Sequence, residues 1–107
     1  MVAALRIWSF VLGVGFLVVG VLRMIPIPQL EPFAQPEYVH GALHLVSGAA
    51  LLQWGARRAV PRVIAVLGVL WVVLGVVARF GVLDHTDSVV HIVTGAVSVG
   101  LAALARR

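Results

Sequence analysis

The sequence predicts an all-α protein: a transmembrane four-helix bundle made of two helical hairpins that repeat in parallel. Three observations predict it. The 107 residues are 62% apolar and 11% charged, with a mean hydropathy of +1.10, whereas soluble domains are about a quarter charged. Apolar residues gather in four stretches, near 3–22, 39–55, 63–82 and 89–105. The charges are sorted by sign between the connections. A small soluble domain has too little interior to hide so much apolar surface. That argues against an independently soluble enzyme, a disordered tail or a nucleic-acid-binding domain.

The first stretch, 3–22, is long enough, at about 1.5 Å per residue, to cross about 30 Å of hydrocarbon. In lipid each backbone N–H must be paired within its own segment, so helix is expected despite the many valines. The run exceeds a signal-peptide core, and Arg23-Met24-Ile25-Pro26 is a poor cleavage site, so a retained helix is expected. The connection 24–38 carries Pro26, Pro28, Pro32 and Pro36 and should be extended and stiff. Phe33 and Tyr38 suit the outer headgroup level, and Trp8 and Trp54 the inner one. Trp71 falls in the middle of 63–82, off either belt, and is expected to pack in the core. Asp87 is placed to N-cap the fourth helix, 89–105.

Arg6, Arg57, Arg58, Arg62, Arg106 and Arg107 flank one set of ends, and all four acids, Glu31, Glu37, Asp84 and Asp87, lie in the other two connections. The positive-inside rule then puts both termini and the 56–62 loop in the cytoplasm, with loops 24–38 and 83–88 outside the cell membrane. The expected partners are the bilayer itself and anionic lipid headgroups at Arg57, Arg58, Arg62, Arg106 and Arg107. A homo-oligomer or a larger membrane complex is the further expectation. Arg23 and Arg79, at the outer edges, are expected to snorkel or to pair with the outer acids. A sequence pI near 11.5 does not imply nucleic acid, because the arginines form no continuous basic face. The chain has no cysteine, which removes disulfides, thiolate metal sites, iron–sulfur clusters and c-type haem.

Two repeats are readable. Leu12-Gly13, Phe16 and Gly20 match Leu67-Gly68, Trp71 and Gly75 at an offset of 55, and His44-Leu45-Val46-Ser47-Gly48 matches His91-Ile92-Val93-Thr94-Gly95 at an offset of 47. Glycines seven apart, Gly13 with Gly20, Gly41 with Gly48 and Gly68 with Gly75, share helix faces. Together with Gly95 they are the expected helix-packing positions, where small residues let backbones approach.

Chemistry, if the chain has any, lies on the second and fourth helices. His40, His44, Ser47 and Gly48 share one face, and Asp87, His91, Thr94, Gly95 and Ser98 form the matching stripe. Polar side chains in a membrane face the bundle. His44 and His91 should therefore meet about one turn, roughly 5–8 Å, inside the outer surface. Three readings are open. The imidazoles fix helix register through hydrogen bonds. Alternatively, His44 and His91 bind haem, or His40, His44, Asp87 and His91 hold a metal. In the third, an outward-facing His pocket senses or admits a small molecule. The first makes the protein a non-enzymatic accessory or membrane-organising protein acting through helix contacts, with no cofactor required.

At these motifs the chain resembles a family of small bacterial four-helix integral membrane proteins, a domain of unknown function. Its second helix carries an Asn-Pro-Leu-His-Asn-Leu-Val-His-Leu-x-x-Gly-like segment, and its fourth an Asp-Asn-x-x-His-Leu-x-x-Gly-like segment. Here Glu37-Tyr38-Val39-His40-Gly41-Ala42-Leu43-His44-Leu45-Val46-Ser47-Gly48 takes the first place, and Asp87-Ser88-Val89-Val90-His91-Ile92-Val93-Thr94-Gly95 the second. The family's asparagines are missing, with Glu37, Gly41 and Ser88 in this chain. The resemblance implies an inner-membrane protein and brings no activity with it.

Overall fold

The structure, a computed structural model, describes residues 2–25, 38–78 and 85–106, and of 38, 39, 78 and 85–88 the backbone only. Every long described segment is helical, and none is a strand. Helix α1 is Val2–Met24, and α2 is Tyr38–Ala50, continuing without a break into a π-helix, Leu51–Arg57. Helix α3 is Pro61–Ala78 and α4 is His85–Ala105. The all-α class is as expected. The connection with its prolines, together with Phe33, Glu31, Glu37, Arg79, Asp84 and Arg107, lies outside the described residues.

Two local expectations are corrected. Helix α4 starts at His85, so Asp87 lies in its first turn rather than ahead of it as the N-cap. The end of the second apolar stretch is π-helical, not α-helical. The Arg58 N–H donates to the Gln53 carbonyl at 3.2 Å and the Val60 N–H to the Trp54 carbonyl at 2.6 Å, wider loops than an α-helix makes. A packing reason is visible at Gly55, where an added Cβ would fall on Ser9 of α1. The wider winding brings this residue without a side chain onto the neighbouring helix. Arg6 holds the end of the π-helix, its Nη1 donating to the carbonyls of Arg57 (3.1 Å) and Ala56 (3.4 Å). Ala59 then turns the chain at φ 52°, and Pro61 opens α3, where a missing N–H costs nothing.

Helix α1 lies along α2 and the π-helix, α3 lies along α4, and α1 also meets α4. Glycines set the closest approaches. A Cβ on Gly48 would stand 2.8 Å from the Gly13 carbonyl oxygen, and one on Gly20 would stand 3.0 Å from that of Gly41. Between α3 and α4, a Cβ on Gly95 would be 2.5 Å from the Gly68 oxygen. The Gly68–Gly95 crossing equates with the Gly13–Gly48 crossing under the two sequence offsets. Gly75 is also buried on α3.

Polar side chains are buried alongside the apolar core, and many large apolar side chains are exposed among the described residues. Ser9, Arg23, His40, His44, Ser47, His91 and Ser98 are all at most 9% exposed, while Ile7, Val11, Val46 and Val66 are over 60% exposed. Arg23, expected to snorkel or to pair with the outer acids, is buried rather than snorkelling, with its Cβ beside Gly41, and the acids it could pair with have side chains outside the described residues. Leu5, Phe16, Leu51, Ile64, Trp71 and Ala102 form the apolar core among the described residues. One described helix, Val2–Met24, is long and apolar enough to cross a membrane, and Pro61–Val77 and Val89–Ala105 are shorter apolar helices.

Candidate metal centre

His40 and His44 are one helical turn apart, so both rings leave the same face of α2. Gly41 and Gly48 keep this part of α2 close against α1, and Gly95 keeps α4 close against α3. His91 projects from α4 into the same space: its ring centroid is 5.4 Å from that of His44 and 5.3 Å from that of His40. The His40 and His44 rings are 4.5 Å apart. One imidazole nitrogen from each of the three lies within 4.8 Å of the others, and all three residues are buried.

Two aromatic rings close the cluster. Trp71 of α3 stands 4.6 Å from His91 and 4.9 Å from His44, and Phe16 of α1 stands 5.0 Å from His44. Phe16 and Trp71 are themselves 4.9 Å apart. Positions 16 and 71 are 55 apart and 44 and 91 are 47 apart, the two offsets of the expected repeat, and Phe16 contacts His44 as Trp71 contacts His91. The Trp71 indole N–H donates to Ser47 Oγ at 3.0 Å, tying α3 to α2 about one turn beyond His44. A buried indole needs such a partner, which is what orients this ring.

The His44 Nδ1–H donates to the His40 carbonyl at 2.9 Å. In a neutral imidazole this places the lone pair on Nε2 and fixes the ring's direction. Metal-binding histidines are commonly oriented in this way, with the second nitrogen tied to a carbonyl. Ligand bonds of about 2.0 Å from three imidazoles to one ion set their nitrogens about 3.5 Å apart.

The hydroxyls of α4 bind helix to helix or back onto their own helix. Ser98 Oγ donates to the Thr94 carbonyl at 2.7 Å and accepts the Trp8 indole N–H at 2.8 Å, and Thr94 Oγ1 donates to the Val90 carbonyl at 2.7 Å. Trp8, expected at the inner headgroups, thus bridges α1 to α4. Of the four residues expected to hold a metal, His40, His44 and His91 converge, and the Asp87 side chain lies outside the described residues. Haem between His44 and His91 fits less well, since Phe16, Trp71 and His40 already crowd both rings. The space lined by Phe16 and Trp71 together with Leu12, Leu67 and Ser98 is ≈ 10 Å³, about one water's worth of room.

The sequence puts Trp71 in the core and Phe16 in the repeat, and only the structure shows both as walls of the histidine cluster. The available signal was the indole donor in a mid-helix position, which demands a hydroxyl or carbonyl partner. A scan against protein-family models, a search of curated proteins and a search of solved structures each find no match to the chain.

Proposed function

We propose that this chain is a multi-pass integral membrane protein that holds a transition-metal ion inside its bundle between His40, His44 and His91. Its role is binding rather than catalysis. The single observation that carries the reading is the convergence of three buried imidazole nitrogens within 4.8 Å. The exposed valines and isoleucines beside buried polar side chains support the bilayer part, since lipid accepts the former while polar groups turn inward. Positive-inside sorting of the arginines supports cytoplasmic termini and a cytoplasmic 56–62 loop, leaving the metal centre nearer the outer face. The resemblance to small bacterial four-helix membrane proteins is in keeping with this placement.

The test is metal analysis of detergent-purified protein, followed by chelator stripping and reloading with Zn(II), Co(II) and Cu(I) in turn. One equivalent of at least one ion should bind to the wild-type protein and be lost in His44→Ala and His91→Ala variants of unchanged helicity. Loading should also fall on acidification, because protons compete with the ion for the same nitrogens. Stoichiometric binding of no ion would overturn the reading and leave the imidazoles as a register-fixing polar core.

A further inference from the structure

The end of the bundle away from the histidines carries a second set of side chains, which metal binding leaves unused. We infer that this end holds the phosphate of an anionic phospholipid, bound by a collar of arginines set against exposed apolar side chains. The inference rests on the bilayer part of the proposed function and is independent of the metal.

All four helices contribute to the collar. Arg6 of α1 reaches the carbonyls of Ala56 and Arg57. Gly55 of the π-helix stands against Ser9 of α1 and Ile64 of α3, and Trp8 of α1 is bonded to Ser98 of α4. The start of α1, the end of the π-helix, the start of α3 and the end of α4 therefore come together. That gathers Arg6, Arg57, Arg58, Arg62 and Arg106, all of them exposed. The four acids, Glu31, Glu37, Asp84 and Asp87, belong instead to the connections, or the first turn beside them, at the other ends of the helices. Arg57 Nη1 donates to Gln53 Oε1 at 3.4 Å. Among the described residues, the side chains of Arg58, Arg62 and Arg106 make no hydrogen bond or ion pair.

The neighbours of these arginines choose the partner. Ile7 and Phe10 follow Arg6, Trp54 precedes Arg57, Val66 follows Arg62 and Leu104 precedes Arg106, each within about one turn and each at least 40% exposed. A soluble phosphate or a nucleic acid would answer the charge and leave this apolar rim in water. An anionic phospholipid answers both, with its phosphate level with the guanidiniums, its acyl chains on the rim and the Trp54 indole at the boundary. A guanidinium fork can bond two phosphate oxygens at once, so arginine suits this ligand better than lysine would. Phosphatidylcholine carries the same phosphate, but its choline cancels the charge. The collar therefore separates net-anionic lipid from zwitterionic lipid.

The experiment reconstitutes the intact chain in phosphatidylcholine bilayers containing phosphatidylglycerol with brominated acyl chains, and in the reverse labelling, and reads the quenching of tryptophan emission. Trp71 is buried and Trp8 half-buried, so Trp54 carries the signal, and Trp54→Phe measures what the other two contribute. One guanidinium near an anionic surface is worth about fivefold in affinity, so phosphatidylglycerol should be preferred beside Trp54 by about fivefold or more. Raised salt should shrink that preference, because it screens exposed charges. Changing Arg58, Arg62 and Arg106 together to glutamine should bring the preference within about twofold at unchanged helicity. The salt dependence of the wild type decides the matter even if that variant fails to fold. Equal quenching by the two lipids, a preference unmoved by salt, or one that survives in the triple variant would overturn the inference and leave the bilayer and metal readings standing. So would loss of the preference in inorganic phosphate but not in chloride of equal ionic strength, which would assign the collar to soluble phosphate. Quenching by neither lipid would remove the bilayer reading together with this one.

Discussion

At the scale of single residues, the centre depends on where protons sit. The His44 Nδ1–H bond to the His40 carbonyl and the Trp71 indole bond to Ser47 each fix one ring. Losing a buried hydrogen bond costs about 1 kcal/mol, more where a polar atom is stranded. Trp71→Phe should therefore lower stability by about 1 kcal/mol in a mixed-micelle unfolding titration, because the Ser47 hydroxyl can turn to another acceptor. No loss of stability would show that the bond is idle. Ser47 and both histidines were legible as a polar stripe from their spacing alone. The role of Trp71 was not, because an apolar stretch reads the same whether a tryptophan faces lipid, core or site.

At the scale of elements, glycines decide how closely helices run. Gly95 and Gly100 are both on α4, yet a Cβ on Gly95 would meet the Gly68 oxygen at 2.5 Å while one on Gly100 meets nothing within 4 Å. Gly95→Ala should destabilise by about 1–3 kcal/mol through overpacking, and Gly100→Ala should be neutral or stabilising by up to about 1 kcal/mol through helix propensity. Equal effects would mean that the crossing is not tight. The π-helix offers a sharper case. Gly55→Ala sets a methyl on Ser9, and Ser9→Gly should relieve it, giving a coupling of about 0.5–3 kcal/mol in a double-mutant cycle. Additive effects would place Gly55 away from Ser9. The seven-residue glycine spacing was visible in the sequence. The widened winding of Leu51–Arg57 was not, since it answers a contact with α1 that local propensity does not contain.

For the whole molecule, many large apolar side chains are exposed among the described residues while a polar cluster is buried, and the proposed bilayer would account for both. If the proposed topology holds, Ala34→Cys and Thr86→Cys should react with a membrane-impermeant thiol reagent in intact cells. Arg58→Cys should react only after the cells are opened. The reverse pattern would invert the protein, and equal labelling of all three would remove the bilayer reading.

Composition, periodicity and charge sorting by themselves determined that this is a helical chain, where its helices run, and which positions are small or polar. These are properties of single segments, set by the backbone's need for internal hydrogen bonds and by the side chains each turn presents. Only tertiary structure decided that His40, His44 and His91 meet, that Phe16 and Trp71 wall them in, and that Arg23 turns inward. Those facts depend on the rotation of each helix about its axis and on its distance from its neighbours. A shift of an ångström or two in either would separate groups that the sequence only aligns on faces.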